Sequence, residues 1–373
     1  MTVFFLILSL ILFIGLVVAH EWGHFIVARR GGVEVEEFGI GFPPKVWAKK
    51  VKTSGSKFLF SINLLPLGGF VRLKGEHDAD TRPGSYGAAP LKTKVKIMLA
   101  GVTMNLIIAY LMLTVLAATA LPKLIDNQFT VAGDTRVIQQ IKDKDVVKVD
   151  TVVGSTPAEK AGIKHDDRIL AINGQKITSP EEVSDATKDN AGKTVPIRLE
   201  RSGKEITVRT TLNKQNEGEG YLGISTISGQ NGIELRRSTW SAPVVAAGLI
   251  GQFTQLTFKG LGTAIADLSH GQAHKASEQV SGPVGIFYIL KEGGKLGLSF
   301  IMTIIAVISL TLAIINVLPI PALDGGRLFI TLLFKAIKKP LTKTREEFIH
   351  GAGFAFLMIL FVLITFVDIR RFF

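Results

Sequence analysis

His20-Glu21-Trp22-Gly23-His24 closes an almost uninterrupted apolar run that begins at Val3 and ends at Ala19. An H-E-x-x-H pattern on a helix puts two residues four positions apart on one face, so His20 and His24 can turn their imidazoles to one metal ion. Glu21 then stands beside that ion. In such an arrangement the metal acidifies a bound water and the carboxylate takes its proton. The position of the motif strengthens the reading. Three ionisable side chains in or beside a membrane span are costly unless they are paired or bound, and such residues are functional by default.

The rest of the composition fits a membrane setting. The chain has 373 residues, 47% of them hydrophobic, enough for two or three units. It has no cysteine, which excludes a disulfide framework and a thiolate-ligated metal, so any metal must be held by His, Asp or Glu. A net charge of +12 would suit nucleic acid, but many of the Lys and Arg residues flank apolar runs, where they set topology and meet anionic lipid. No nucleic-acid motif is present, and none is expected as a partner.

Taken in order, residues 1–29 form a first span carrying the metal motif. It lacks the basic start of a cleaved signal peptide, and its apolar run exceeds an ordinary one. Residues 30–96 follow; from Arg29 to Lys96 there are thirteen Lys or Arg residues against six acidic ones, which by charge asymmetry places this segment in the cytoplasm and the amino terminus outside. Within it, Glu34 to Lys74 reads as short strands lying against the membrane, with Pro66 and Gly68-Gly69 at turns or bulges. Such strands can offer an edge to an extended peptide. A second span, 97–122, contains Gly101-x-x-x-Asn105, where glycine permits close helix approach and asparagine can bond across helices; packing is the expected role.

Residues 130–213 have the charged, turn-rich composition of a soluble α+β domain. A strand is expected near Val146–Val153, then Gly154 to Gly162 and Asp166 to Gly174, a helix after an N-cap at Ser179, and two strands joined at Ser202-Gly203. This order resembles a PDZ domain of the kind found in bacterial membrane proteases. After two spans it should lie on the same side as the amino terminus, outside the cytoplasm. Residues 221–297 read as a strand, an amphipathic segment at about 239–268 and a glycine-containing linker. Counting 239–268 as a span would put the basic 335–346 loop outside, so a position on the outer surface is expected.

The third span, 298–326, ends in Asn316-Val-Leu-Pro-Ile-Pro-Ala-Leu-Asp-Gly-Gly326. Pro319 and Pro321 must break the helix, and irregular backbone at membrane depth is tolerated only where it is buried or lines a cavity. A last span, 347–369, follows the basic loop. Two histidines need a third protein ligand. His20 and Asn316 both lie about 17–18 residues into their spans, so at ~1.5 Å per residue they reach a common depth near the cytoplasmic face. Asp324, after the broken helix, is the best third ligand at that depth, with Glu346 and Glu347 as competitors from the basic loop.

The combination of His20-Glu21-x-x-His24, Gly101-x-x-x-Asn105, a PDZ domain, Ser281-Gly-Pro-Val-Gly-Ile286 and Asn316-x-x-Pro-x-Pro-x-Leu-Asp-Gly325 resembles the bacterial site-2 protease family of intramembrane zinc metalloproteases, in its sigma-regulating branch. The resemblance covers nearly the whole chain. It implies one Zn2+ held by His20, His24 and Asp324, with Glu21 as the base. Asn316 would hold substrate backbone or an oxyanion, and Asn105, Pro319, Pro321 and Gly325 would support the site. It further implies substrates that are single-span membrane proteins, an upstream site-1-type protease that trims them, a PDZ domain that filters by size and can take a peptide ligand, and residence in a bacterial inner membrane. Val102 and Arg327 depart from the pattern, standing where the family commonly has proline and often has histidine. The expected fold is thus a multi-pass α-helical membrane protein of about four spans, with a cytoplasmic membrane-associated β-region and an inserted extracytoplasmic PDZ domain. The competing reading is a catalytically inactive, PDZ-bearing binding protein or scaffold. Glu21 argues against it, because coordination alone does not require that residue.

Overall fold

The computed structural model describes residues 2–53, 56–141, 146–201, 204–215, 220–228, 233–271 and 282–372. The Ser202-Gly203 turn and Ser281 lie outside them. The chain divides into two compact units, one built from residues 1–136 and 236–373, the other from 137–235.

Four helices among the described residues are long and apolar enough to cross a membrane: Phe4–Arg30, Leu91–Thr119, Leu298–Val317 and Lys343–Arg370. The first belongs to helix α1 (Thr2–Arg30), and the second is helix α2 (Leu91–Thr119). Helix α2 is central to the packing. Its buried residues Ile97, Gly101, Asn105, Ala109, Leu113 and Leu116 recur every three or four positions, so one stripe of the helix faces protein along its length. The small residues on that stripe let neighbouring backbones approach, as expected where lipid supplies no hydrophobic drive between helices.

The inserted unit carries the short helices α3 (Pro157–Lys160) and α4 (Pro180–Asp189). Its sheet runs, in spatial order, 224–228, 147–152, 168–172, 194–201 and 204–211, each strand antiparallel to the next. Helix α4 begins where a capping box sets it. The Ser179 hydroxyl accepts from the Glu182 N–H (3.3 Å), and the Glu182 carboxylate accepts from the Thr178 N–H (2.7 Å). Val147, Val149, Ile169, Ile197, Leu199 and Val183 close the core between sheet and helix.

The chain then returns to the first unit through helix α5 (Ala242–Ser269). Its first half sets Ala242, Val245, Ala246, Leu249 and Phe253 against Ala109, Leu113 and Leu116 of α2 and against Ala306, Leu310 and Ile314 of helix α7 (Leu298–Val317). Its composition keeps it outside the four apolar helices, while its packing is on two of them. The short helix α6 (Pro283–Gly293) precedes α7. After Val317 the helix stops, since Pro319 and Pro321 have no N–H to continue it. Leu318 is extended, Ala322 has φ +78°, and helix α8 (Asp324–Ala336) starts two residues later. Helix α9 (Lys343–Phe372) leaves Phe354, Phe356, Ile359, Val362 and Leu363 facing outward, a surface suited to lipid.

Between α1 and α2 lies a sheet whose register places residues 37–40 between two neighbours. Phe38 pairs with Val71 on one side and Phe60 on the other, and residues 45–53 pair beyond, with 56–63. Glu37, 3% exposed, ties these segments together through Ser61 Oγ (2.6 Å), Lys45 Nζ (2.7 Å) and Arg72 Nη1 (3.4 Å). Burial opposes its charge, yet the hydrogen bonds from Lys45 and Ser61 and the nearby Arg72 hold its carboxyl below the usual range. The connection from this sheet to α2 carries Glu76 and Asp78, which pair with Arg327 and Lys94.

Candidate metal centre

Helix α1 presents His20 and His24 one turn apart, 9% and 7% exposed. The broken end of α7 brings Asp324 to them from 304 and 300 residues away in sequence. Asp324 Oδ2 is 3.1 Å from His20 Nε2 and 3.1 Å from His24 Nε2, and the two Nε2 atoms are 3.2 Å apart. Donors ~2.0–2.1 Å from a tetrahedral zinc ion stand about 3.3 Å from one another, so this near-equilateral set of two imidazoles and a carboxylate fits zinc in both chemistry and spacing. Among the described residues the competing acids are engaged elsewhere. Glu346 accepts a hydrogen bond from the Asp78 N–H (2.9 Å), and Glu347 faces His77 (3.6 Å) and Lys343 (3.7 Å).

Several contacts hold the donors. His24 Nδ1 donates to the Ile97 carbonyl (2.7 Å), which leaves Nε2 with its lone pair toward Asp324. Asn105, 1% exposed, lies 3.2 Å from His20 Nδ1 through its amide. Gly101 explains how α2 comes so close: a Cβ there would stand 2.5 Å from His20 Nε2, and one on Gly23 would stand 2.7 Å from the Ala100 carbonyl oxygen. Gly101→Val is therefore expected to abolish zinc retention in the purified protein, measured as metal per chain. At the other wall, a Cβ on Gly325 would lie 2.6 Å from the Leu318 carbonyl oxygen, so the first turn of α8 folds directly back on the broken end of α7.

Glu21 is one residue on from His20, about 100° around the helix, and lines a cavity of about 140 Å³ with His24, Phe70, Val71, Met98, Asp324 and Arg327. The Val71 backbone hydrogen-bonds to its carboxylate, and a Cβ on Gly69 would meet its Cγ at 3.2 Å. Strand 69–73 thus passes directly beside the acid. Asn316 sits half-buried in the last turn of α7. Pro321 is covered by α9 at Gly353, and His350 of α9 accepts the Ala322 N–H at Nδ1 (3.2 Å). The Ile97 carbonyl, Val71 and His350 carry no motif in the sequence. Arg327 does carry a signal, as a departure from the family pattern, and it reaches Glu76 at 2.7 Å.

A His-His-carboxylate set with a further carboxylate in the adjoining cavity is the donor pattern that hydrolytic zinc sites use. Residues 8–360 match the sequence model described as Peptidase family M50. The chain belongs to peptidase family M50. The M50 match spans all three ligand candidates and the inserted unit. Among its M50-type relatives is the regulator of sigma-W protease RasP of Bacillus subtilis, 27% identical over 98% of both chains. The zinc metalloprotease RasP of Shouchella clausii is 26% identical over 96% of this chain and 97% of its own. A Clostridium perfringens protein with a zinc-metalloprotease name is 30% identical over 98% of both. The solved PDZ domain of an SdrC-like protein from Listeria monocytogenes aligns with 22% of this chain and 88% of its own, at 26% identity and a TM-score of 0.20. As an M50 peptidase the chain is a zinc metalloprotease of the site-2 type, multi-pass in the membrane.

Proposed function

We propose that this peptidase performs regulated intramembrane proteolysis, cutting single-span membrane proteins after another, site-1-type protease has trimmed them. The observation that carries the proposal is the juxtaposition of three parts: the His20–His24–Asp324 donor set, the Glu21 acid, and the strand 69–73 running past both. His20, His24 and Asp324 would hold the zinc. When bound, zinc supplies Lewis acidity that readies a water and polarises the scissile carbonyl. Glu21 accepts the proton of the attacking water at its carboxylate and hands it to the leaving amide nitrogen.

A transmembrane helix buries its own carbonyls, so a substrate must unwind before its peptide bond can be reached. Strand 69–73 pairs with 35–40 on one side, and its other side supplies backbone groups that take up an unwound segment as an added strand. Asn316, eight residues before Asp324, donates from its side-chain amide to substrate backbone or the developing oxyanion. Pro319, Pro321 and Gly325 support this by fixing the turn that delivers Asp324.

We place the protein in a bacterial inner membrane, the site near the cytoplasmic face and the PDZ domain outside. The basic segment after α1 and the basic 335–346 loop support this sidedness. The PDZ domain then admits short stubs, takes a peptide ligand, and excludes untrimmed proteins. The Bacillus subtilis relative's name joins it to sigma-W regulation, which makes anti-sigma factors one candidate substrate and signal-peptide remnants another. The test is cleavage in reconstituted vesicles of one tagged single-span segment, presented either as a stub or fused on its outer side to a folded domain. The stub is expected to be cut and the fusion to resist. Equal cleavage of the two removes the filter, and failure of the zinc-loaded enzyme to cut any of several stubs removes the proteolytic reading.

A further inference from the structure

Asn105 lies on the protein-facing stripe of α2 and is almost fully buried. Its backbone carbonyl accepts from Ser309 Oγ of α7 (2.9 Å), which pins this turn of α2 between two helices. Its side chain faces His20, with Nδ2 3.2 Å from the ring Nδ1, while Oδ1 is buried without a hydrogen-bond partner. Packing accounts for the burial. It does not account for a carboxamide, since an unpaired buried oxygen is unfavourable and leucine would fill a similar volume.

The explanation lies in what His20 must do. A neutral imidazole has one N–H, and a ring that ligates through Nε2 carries its proton on Nδ1. His20 directs Nε2 to the shared donor point with His24 and Asp324, so its Nδ1–H needs an acceptor. The other histidine has one in the Ile97 carbonyl. For His20 the group within reach is the Asn105 amide. A half-turn of that amide exchanges oxygen and nitrogen, groups that only their hydrogen bonds distinguish, and puts Oδ1 on the imidazole N–H.

We infer that Asn105 is a positioning residue of the metal centre: its side-chain oxygen accepts the His20 Nδ1–H, selecting the tautomer and ring orientation that expose Nε2 to zinc. The inference rests on the zinc reading of the site and adds a residue to it. It makes the role of Asn105 polar and directional, where interhelical packing would make it a matter of volume.

Two substitutions separate those roles, because they rank them in opposite order. Asn105→Asp keeps an acceptor toward His20 and removes the unpartnered N–H that the turned amide leaves. Asn105→Leu keeps the bulk and removes the acceptor. Zinc affinity is measured on the full-length purified protein by competition with a chelator, with the melting temperature of each zinc-free form as the check on folding. Loss of such an outer contact is worth ~10–100-fold in metal affinity, so Asn105→Leu is expected to weaken zinc by that factor and Asn105→Asp to stay within a few-fold of wild type. If the leucine variant does not assemble, Asn105→Ala, which adds no bulk, is expected to show the same loss. Unchanged affinity in the leucine or alanine variant, or a weaker site with aspartate than with leucine, overturns the inference. A wild-type protein that binds no zinc overturns the zinc reading itself, a separate outcome.

Discussion

Glu21→Gln is expected to keep one zinc per chain and to lower cleavage of a tagged single-span stub by about 10²–10⁴-fold, the usual weight of a positioned general base. Glutamine has the size and shape of glutamate, so the cavity between α1 and strand 69–73 remains filled, and the Val71 backbone contact can be kept by the amide oxygen. What is lost is the capacity to take a proton. The metal should stay because Glu21 is outside the His20–His24–Asp324 donor set. Metal analysis and cleavage on the same preparations make the comparison. Equal cleavage by the two proteins would mean that Glu21 is not the base; loss of zinc from the variant would mean that Glu21 holds the site together rather than working beside it.

The parts of this centre that were legible in the sequence are those fixed by short spacing. Four residues between His20 and His24 are one helical turn whatever the rest of the chain does. Pro319 and Pro321 break a helix in any context. The strands of 34–74 were legible as strands, because β-formers are concentrated there beside Pro66 and Gly68-Gly69. Their register was not: that residues 37–40 pair with both 59–62 and 69–73 depends on partners chosen by the whole fold, and a single run of residues shows one face pattern for many pairings. It is this register that sets Val71 beside Glu21. Gly101 and Asn105 were visible as a packing motif of α2, but which face of α1 they meet depends on the rotation of two helices about their axes. The Ile97 carbonyl was beyond reach for another reason, since a backbone acceptor is offered by every residue and nothing in a side chain marks the one that is used.

Asp324→Ala is expected to remove zinc and, with it, all cleavage. His20 and His24 stand on one rigid turn and would keep their places, but two imidazoles alone leave the ion one protein ligand short and without the carboxylate charge that offsets its own. The fall in affinity should exceed the ~10–100-fold typical of an outer contact, because a coordinating atom itself is gone. The substitution is also a test of how the site is built. Asp324 opens α8, whose position is held independently by Arg327 on Glu76 (2.7 Å) and by the close packing of Gly325 on the broken end of α7. Removing one carboxylate should therefore empty the centre without moving the helix. The melting temperature of the variant should match that of zinc-stripped wild type, while wild type with zinc melts higher by the linkage of binding to folding. A variant that melts well below stripped wild type would show that Asp324 organises the Pro319–Ala322 turn as well as the metal. One that retains zinc at wild-type affinity would transfer the third ligand to another acid, and Glu346 and Glu347 would have to leave their contacts with Asp78 and His77 to supply it.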